Sequence, residues 1–126
     1  MTAGALIAEV DALRPNQYSA AQKLQWLQRL DGQVKLELEE THEPLPSASQ
    51  TEQSGEESYT AETELRVPFP YDTELYSAYL FCQIDLHNGE ISRYNQSLSL
   101  LSAAWRQAAD WFNRQRLPKS RSGWQL

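Results

Sequence analysis

From Leu80 to Phe112, the positions Leu80, Ile84, His87, Ile91, Tyr94, Leu98, Leu101, Trp105, Ala108 and Phe112 recur in alternating steps of four and three. That spacing keeps one helical face apolar and is the strongest pattern in the chain. Asn88-Gly89 lies inside it. Asn-Gly normally ends a helix with a left-handed residue. Two readings follow: helices over 72–88 and 90–116 meeting in an abrupt turn, or one long kinked helix. A single helix of about 45 residues would span roughly 67 Å, long for a small domain. The break is the preferred reading.

Earlier in the chain, Leu6, Ile7, Val10 and Leu13 predict a first helix over 2–13. Arg14-Pro15-Asn16 ends it, because a residue before proline is pushed out of the α region. Ser19 is a suitable N-cap for a second helix, with Ala20-Ala21 behind it. Leu24, Leu27, Leu30 or Asp31, Val34 and Leu38 carry that helix to about Thr41. Gly32 sits in its interior, where glycine costs about 1 kcal/mol against alanine. It is tolerated where another backbone passes close by; the reading is one helix kinked at Gly32, and Gly32 and Gly89 are assigned to backbone geometry.

Periodicity fails over 42–64, HEPLPSASQTEQSGEESYTAETE. Nine acidic residues and no Lys or Arg lie between Leu36 and Leu65. Such a stretch buries too little apolar surface to offset its ordering entropy. Residues 43–64 are therefore read as an acidic irregular loop. A short β-hairpin with arms Gln33–Glu40 and Ser58–Val67 is the alternative; the first arm is kept as helix, and an extended piece is allowed near 58–68. Val67-Pro68-Phe69-Pro70-Tyr71 then reads as a stiff linker, with Asp72 capping the next helix and Glu74 in its first turn. Leu117-Pro118 ends the last helix. The fold class expected is all-α, a three- or four-helix bundle forming one domain over 1–118, with a basic tail at 119–126.

Composition changes this picture only in its charge. The 126 residues are 40% hydrophobic and 22% charged, with a net charge of −6. Residues 1–90 hold five Lys/Arg against sixteen Asp/Glu, whereas residues 91–126 hold six against Asp110 alone. An acidic body with a basic end can stack head-to-tail or turn one end to an anionic partner. The simpler reading is a helix ending in cations that suit its dipole. No apolar run is long enough for a membrane span. The N-terminal stretch lacks a basic n-region, and a lone cysteine forms no internal disulfide, so a cytoplasmic chain is expected.

Little in the sequence points to chemistry. There is no glycine-rich phosphate loop, no CxxC or HxxxH and no nucleophile elbow. His42 reads as a surface residue near a helix end. Asp85, His87 and Glu90 do not share a helical face, so they make a poor metal site. Cys82 has no neighbour to lower its pKa and reads as a core residue. No catalytic, metal or cofactor-binding residue is assigned, and no enzyme is expected. The aromatics are more informative. Tyr76, Phe81 and Trp111 fall off the main stripe and either pack against the N-terminal helices or contact a neighbouring subunit. Arg114, Arg116, Lys119 and Arg121, interleaved with tryptophan, are candidates for a partner or DNA contact, although net negative charge opposes duplex binding at long range.

RPNQYSAAQKLQWLQRLDGQV, VPFPYDTELYSAYLFCQIDLHNGEISRYNQS and AAWRQAADWFNRQRLP together resemble a family of small proteins encoded in phages and prophages of Gram-positive bacteria. In that family a sequence like LDG, a VPFPYDELY segment before a helix carrying QID…NGEI.RYN, and a closing W(F/Y)NR…P motif recur. The resemblance covers about residues 9–118. Its members look like head–tail connector (adaptor) proteins of siphophages, which attach as a ring beneath the portal and receive the tail. The resemblance implies a helical domain that acts by assembling with itself, with the portal protein and with a tail-completion or stopper protein. It implies a place in the virion, and in the bacterial cytoplasm during assembly, with no membrane contact. Phe69, Tyr71, Tyr76, Phe81 and Trp111 are then the candidate interface residues, and Arg114, Arg116, Lys119 and Arg121 the partner- or DNA-facing ones. The loop at 43–62 is longer and more acidic than the family pattern. The alternative function is a phage accessory protein that binds nucleic acid through the basic end during packaging or regulation.

Overall fold

The computed structural model describes residues 1–39 and 58–115. It is an all-α bundle, with four helices and no strand among the described residues. Helix α1 spans Ala3–Leu13, α2 Ala20–Val34, α3 Asp72–Asn88 and α4 Ile91–Gln115. A π-helical turn, Lys35–Glu39, prolongs α2. The first arm of the alternative hairpin is therefore helical as far as it is described.

Four helix ends have a clear local cause, whereas α3 begins after Tyr71 without the side-chain cap expected of Asp72. Thr2 and Ser19 are extended N-caps whose hydroxyls accept from the amides of Ala5 and Gln22. Arg14 leaves the helical region at φ −142° before Pro15. Gly89 adopts φ 75°, and the amides of Gly89 and Glu90 return to the carbonyls of Leu86 and Asp85 at 3.1 and 3.0 Å. This glycine-terminated C-cap makes α3 and α4 an antiparallel hairpin. The break expected at Asn88-Gly89 is the one found.

Across that break the apolar stripe ceases to be one face. Leu80, Ile84, Ala108 and Phe112 are buried, but Ile91 and Leu98 are 60% and 40% exposed. In α4 the deeply buried positions are Ser97, Ala104, Ala108 and Phe112. The 4-3 count continues through the turn although the helix axis does not.

The N-terminal half wraps α3. Leu6, Val10, Leu27, Leu30, Val34 and Leu38 pack with Leu75, Tyr76, Leu80 and Ile84 in one core, joined by Leu65 and Val67 from the chain ahead of α3. Residues 58–71 run irregularly, with one isolated antiparallel bridge between Thr2 and Glu64. This segment also caps α1. Carbonyls of Thr63 and Ala61 accept from Ala3 and Gly4, each at 2.8 Å. With the Ala5 amide bonded to the Thr2 hydroxyl, the first three helical amides of α1 are satisfied, and the Leu6 amide begins the intrahelical series on the Thr2 carbonyl.

The close backbone approach expected at Gly32 occurs instead at Gly4. A Cβ on Gly4 would lie 2.9 Å from Ala61 Cβ and 3.0 Å from its carbonyl oxygen, whereas nothing lies within 4 Å of one on Gly32. Gly32 is an ordinary exposed helical position. Gly32→Ala should therefore stabilise by up to about 1 kcal/mol, and Gly89→Ala should destabilise by about 1 kcal/mol or more because of its positive φ. Urea unfolding midpoints of the two variants should move in opposite directions.

Candidate functional site

The polar side chains buried within the bundle serve its assembly. Asp31, on α2, is 3% exposed. Its carboxylate accepts from the Tyr76 hydroxyl on α3, from the Tyr59 hydroxyl at 2.7 Å and from the Arg66 amide at 3.4 Å. The Val67 amide in turn donates to the Tyr76 oxygen at 3.0 Å. One carboxylate thus joins α2, α3 and the 58–67 segment. Burial pushes its pKa up, against the lowering effect of the two phenols, the amide and the Arg66 charge. The same burial and the nearby carboxylate raise both tyrosines.

Asp85 is a second node and is fully buried. Arg14 Nη1 lies 2.8 Å from both carboxylate oxygens, and the Ser97 hydroxyl donates at 2.9 Å. This node joins the end of α1, α3 and the start of α4. The Arg14 guanidinium also stacks over Phe81, 4.2 Å from the ring centroid. Lys23, buried on α2, donates to Asp11 at 2.7 Å and to Asn16 at 3.0 Å, which fixes the α1–α2 connection. From that connection the Tyr18 hydroxyl reaches Asn88 at 2.6 Å, at the corner of the α3–α4 hairpin.

Several sequence assignments change in this setting. Tyr76 is core, not interface: it is fully buried, and its hydroxyl donates to Asp31. Phe81 is half-buried beneath Arg14. His87 lies on the expected apolar phase yet is exposed, its ring against Trp26 at 5.1 Å and its Nδ1 2.8 Å from the Gln83 carbonyl. Cys82 is buried, and desolvation raises its thiol to about 11. His42, Arg116, Lys119, Arg121 and most of the acidic loop, residues 43–57, lie outside the described residues. Among the described residues no group of three His, Cys, Asp or Glu could hold a metal ion, and no helix is long and apolar enough to cross a membrane.

Two surface features remain. The first is at the end of the bundle where α3 begins and α4 finishes. Phe69 is 84% exposed, although Val67 two residues earlier is buried. Tyr71 packs on Trp111 with ring centroids 6.4 Å apart, and Arg114 donates to the Tyr71 hydroxyl at 3.2 Å. Phe69, Tyr71, Trp111 and Arg114 therefore belong to one end of the molecule, and only Phe69 stands clear of it.

The second feature is an open groove of about 460 Å³ between α2 with its π turn and α4, over α3. Leu30 and Gln33 line one wall, Trp105, Ser102 and Arg106 the other, and Tyr79 contributes from α3. Sequence reasoning missed this groove because its walls come from distant segments. Asp31 did leave a trace, an acid standing where the α2 spacing calls for an apolar residue. No family model, curated protein or solved structure matches this chain.

The nodes give two stability predictions. Arg14→Ala leaves a fully buried carboxylate with Ser97 as its remaining side-chain partner and should cost about 3–5 kcal/mol, read by urea unfolding. At Asp31 the folded pKa is raised above the ordinary 3.8. The folded state therefore holds the proton more tightly, and stability from this group increases as pH falls toward 3.8 and is lost as pH rises through the folded value. The stability of wild type relative to Asp31→Asn should grow in favour of wild type between pH 7 and about pH 4, close to the ordinary 3.8. Paired urea melts at the two pH values check the sign.

Proposed function

We propose that this chain is a structural virion protein, a head–tail connector that joins the portal-bearing head to the tail by assembling as a ring. The single observation that carries the reading is the setting of Phe69. A large aromatic ring is held 84% exposed, between two prolines, on a segment anchored by the buried Val67 on one side and the half-buried Tyr71 on the other. The ring takes no part in the buried core of the described residues. A rigidly presented aromatic is a common anchor of protein interfaces, because little side-chain entropy is lost when it docks.

Two further points support an assembling role. The buried carboxylates Asp31 and Asp85 are taken up by bonds that join helices, so neither faces an open cleft. VPFPY, which carries much of the resemblance to the connector family, is also the segment that presents Phe69. In this reading Tyr71, Trp111 and Arg114 form the supporting surface around Phe69, and the portal and a tail-completion protein are the partners. Arg116, Lys119 and Arg121 continue the basic end beyond α4 and would face those partners or passing DNA.

The test is electron microscopy of an induced lysate in which the gene for this chain carries an early stop codon. Filled or leaking heads beside free tails are the expected result. Normal virions would overturn the connector reading and bring forward nucleic-acid binding through the basic end. Heads without DNA would also overturn it, by moving the protein to packaging.

A further inference from the structure

The groove and the exposed Phe69 are complementary features of one chain that do not meet within it. The groove is walled by Leu30, Trp105 and Tyr79, and its volume of about 460 Å³ has room for an aromatic ring with a flanking proline. Phe69 precedes α3, whereas Tyr79 lies seven residues into that helix, about 10 Å further along the axis. Phe69 is 84% exposed, so it does not fill its own groove.

Charge agrees with shape. Arg106 lines the groove and is exposed, and it makes no ion pair among the described residues. Arg29 lies one helical turn before Gln33 on α2, and its charge acts on the Tyr79 hydroxyl. Glu37 is the acid in the lining, and Gln33 donates to it at 3.2 Å. At the other end, Glu74 stands exposed in the first turn of α3, five residues after Phe69, also without an ion pair among the described residues. An unpaired anion in the turn of helix that follows the projecting ring and unpaired cationic charge at the groove are what one surface needs to seat the other.

We propose that the groove between α2 and α4 receives the Phe69 turn of a second copy of this chain, with Phe69 against Trp105 and Tyr79 and Glu74 brought toward Arg106. The contact is heterologous: each copy offers its ring to one neighbour and its groove to another. Such a contact propagates, and it closes into a ring or extends as a filament according to the rotation per step. This inference rests on the connector reading only in taking self-association as the task of the chain.

The full-length chain lends itself to a mixing experiment by analytical ultracentrifugation. Phe69→Ala removes the ring, and Ser102→Arg fills the groove; both positions are exposed, so the fold should survive, and circular dichroism checks that it does. Wild type is expected to form concentration-dependent oligomers. Each variant alone should weaken self-association by about tenfold or more, the effect of losing one buried aromatic. An equal mixture should recover dimers and nothing longer, because the Ser102→Arg copy still carries Phe69 and the Phe69→Ala copy still has an open groove. A wild type that stays monomeric at millimolar concentration overturns the inference. So does a wild type whose oligomers survive both substitutions, or variants that fail to complement on mixing. None of these outcomes alters the lysate result, so failure of this contact and failure of the connector reading are told apart.

Discussion

Between Leu75 and Leu80 every residue of α3 is buried, so along this stretch the helix has no water-facing side on which to leave a polar group. Most helices in small domains keep a solvated stripe. Here α1 and α2 pack on α3, α4 folds back along it, and Leu65 and Val67 of the preceding segment join the same core. Each buried polar atom on α3 must then find a partner inside the bundle or carry a desolvation cost of roughly 1–3 kcal/mol. The Tyr76 hydroxyl meets Asp31, and the Asp85 carboxylate meets Arg14 and Ser97. Ser77 Oγ alone is left without a partner among the described residues.

This constraint explains why the chain ahead of α3 acts as part of the fold rather than as a tether. Tyr59 and the Arg66 amide both reach Asp31, and the Thr63 and Ala61 carbonyls finish the N-terminus of α1. The segment thus supplies donors to a buried acid and acceptors to the N-terminus of α1. Because it is held so firmly up to Val67, the Pro68–Pro70 turn has a fixed base, and Phe69 can project from the bundle without collapsing onto it. The geometry of the surface follows from the satisfaction of the interior.

The same economy bears on function. Placing Asp31 and Asp85 in bonds that join separate segments of the chain makes for a rigid bundle. Its distinctive surface features are a projecting aromatic at one end and an aromatic-lined groove along one side. Such features acquire meaning when a second molecule is present, in keeping with the uneven division of charge between the two halves of the chain.

Much of the secondary structure was legible in the residue order, because its causes are local. Helix periodicity, the caps at Thr2 and Ser19, Pro15 after α1 and the glycine at 89 each act within a few residues, and each ends or begins a helix where the spacing predicts. What the order of residues could not settle were questions of which face meets what. Tyr76 looked like interface because it lies off the stripe, yet α3 is enclosed on both sides. Gly32 looked like a close approach, yet the close approach is at Gly4. Asp31 stood on the apolar phase of α2 with no partner in view, and Asp85 figured only in a rejected metal site, yet each sits at the junction of three segments. Burial and partnership depend on which distant segments come together, and the packing of Tyr59, Arg66 and Arg14 around α3 is a property of the folded chain alone.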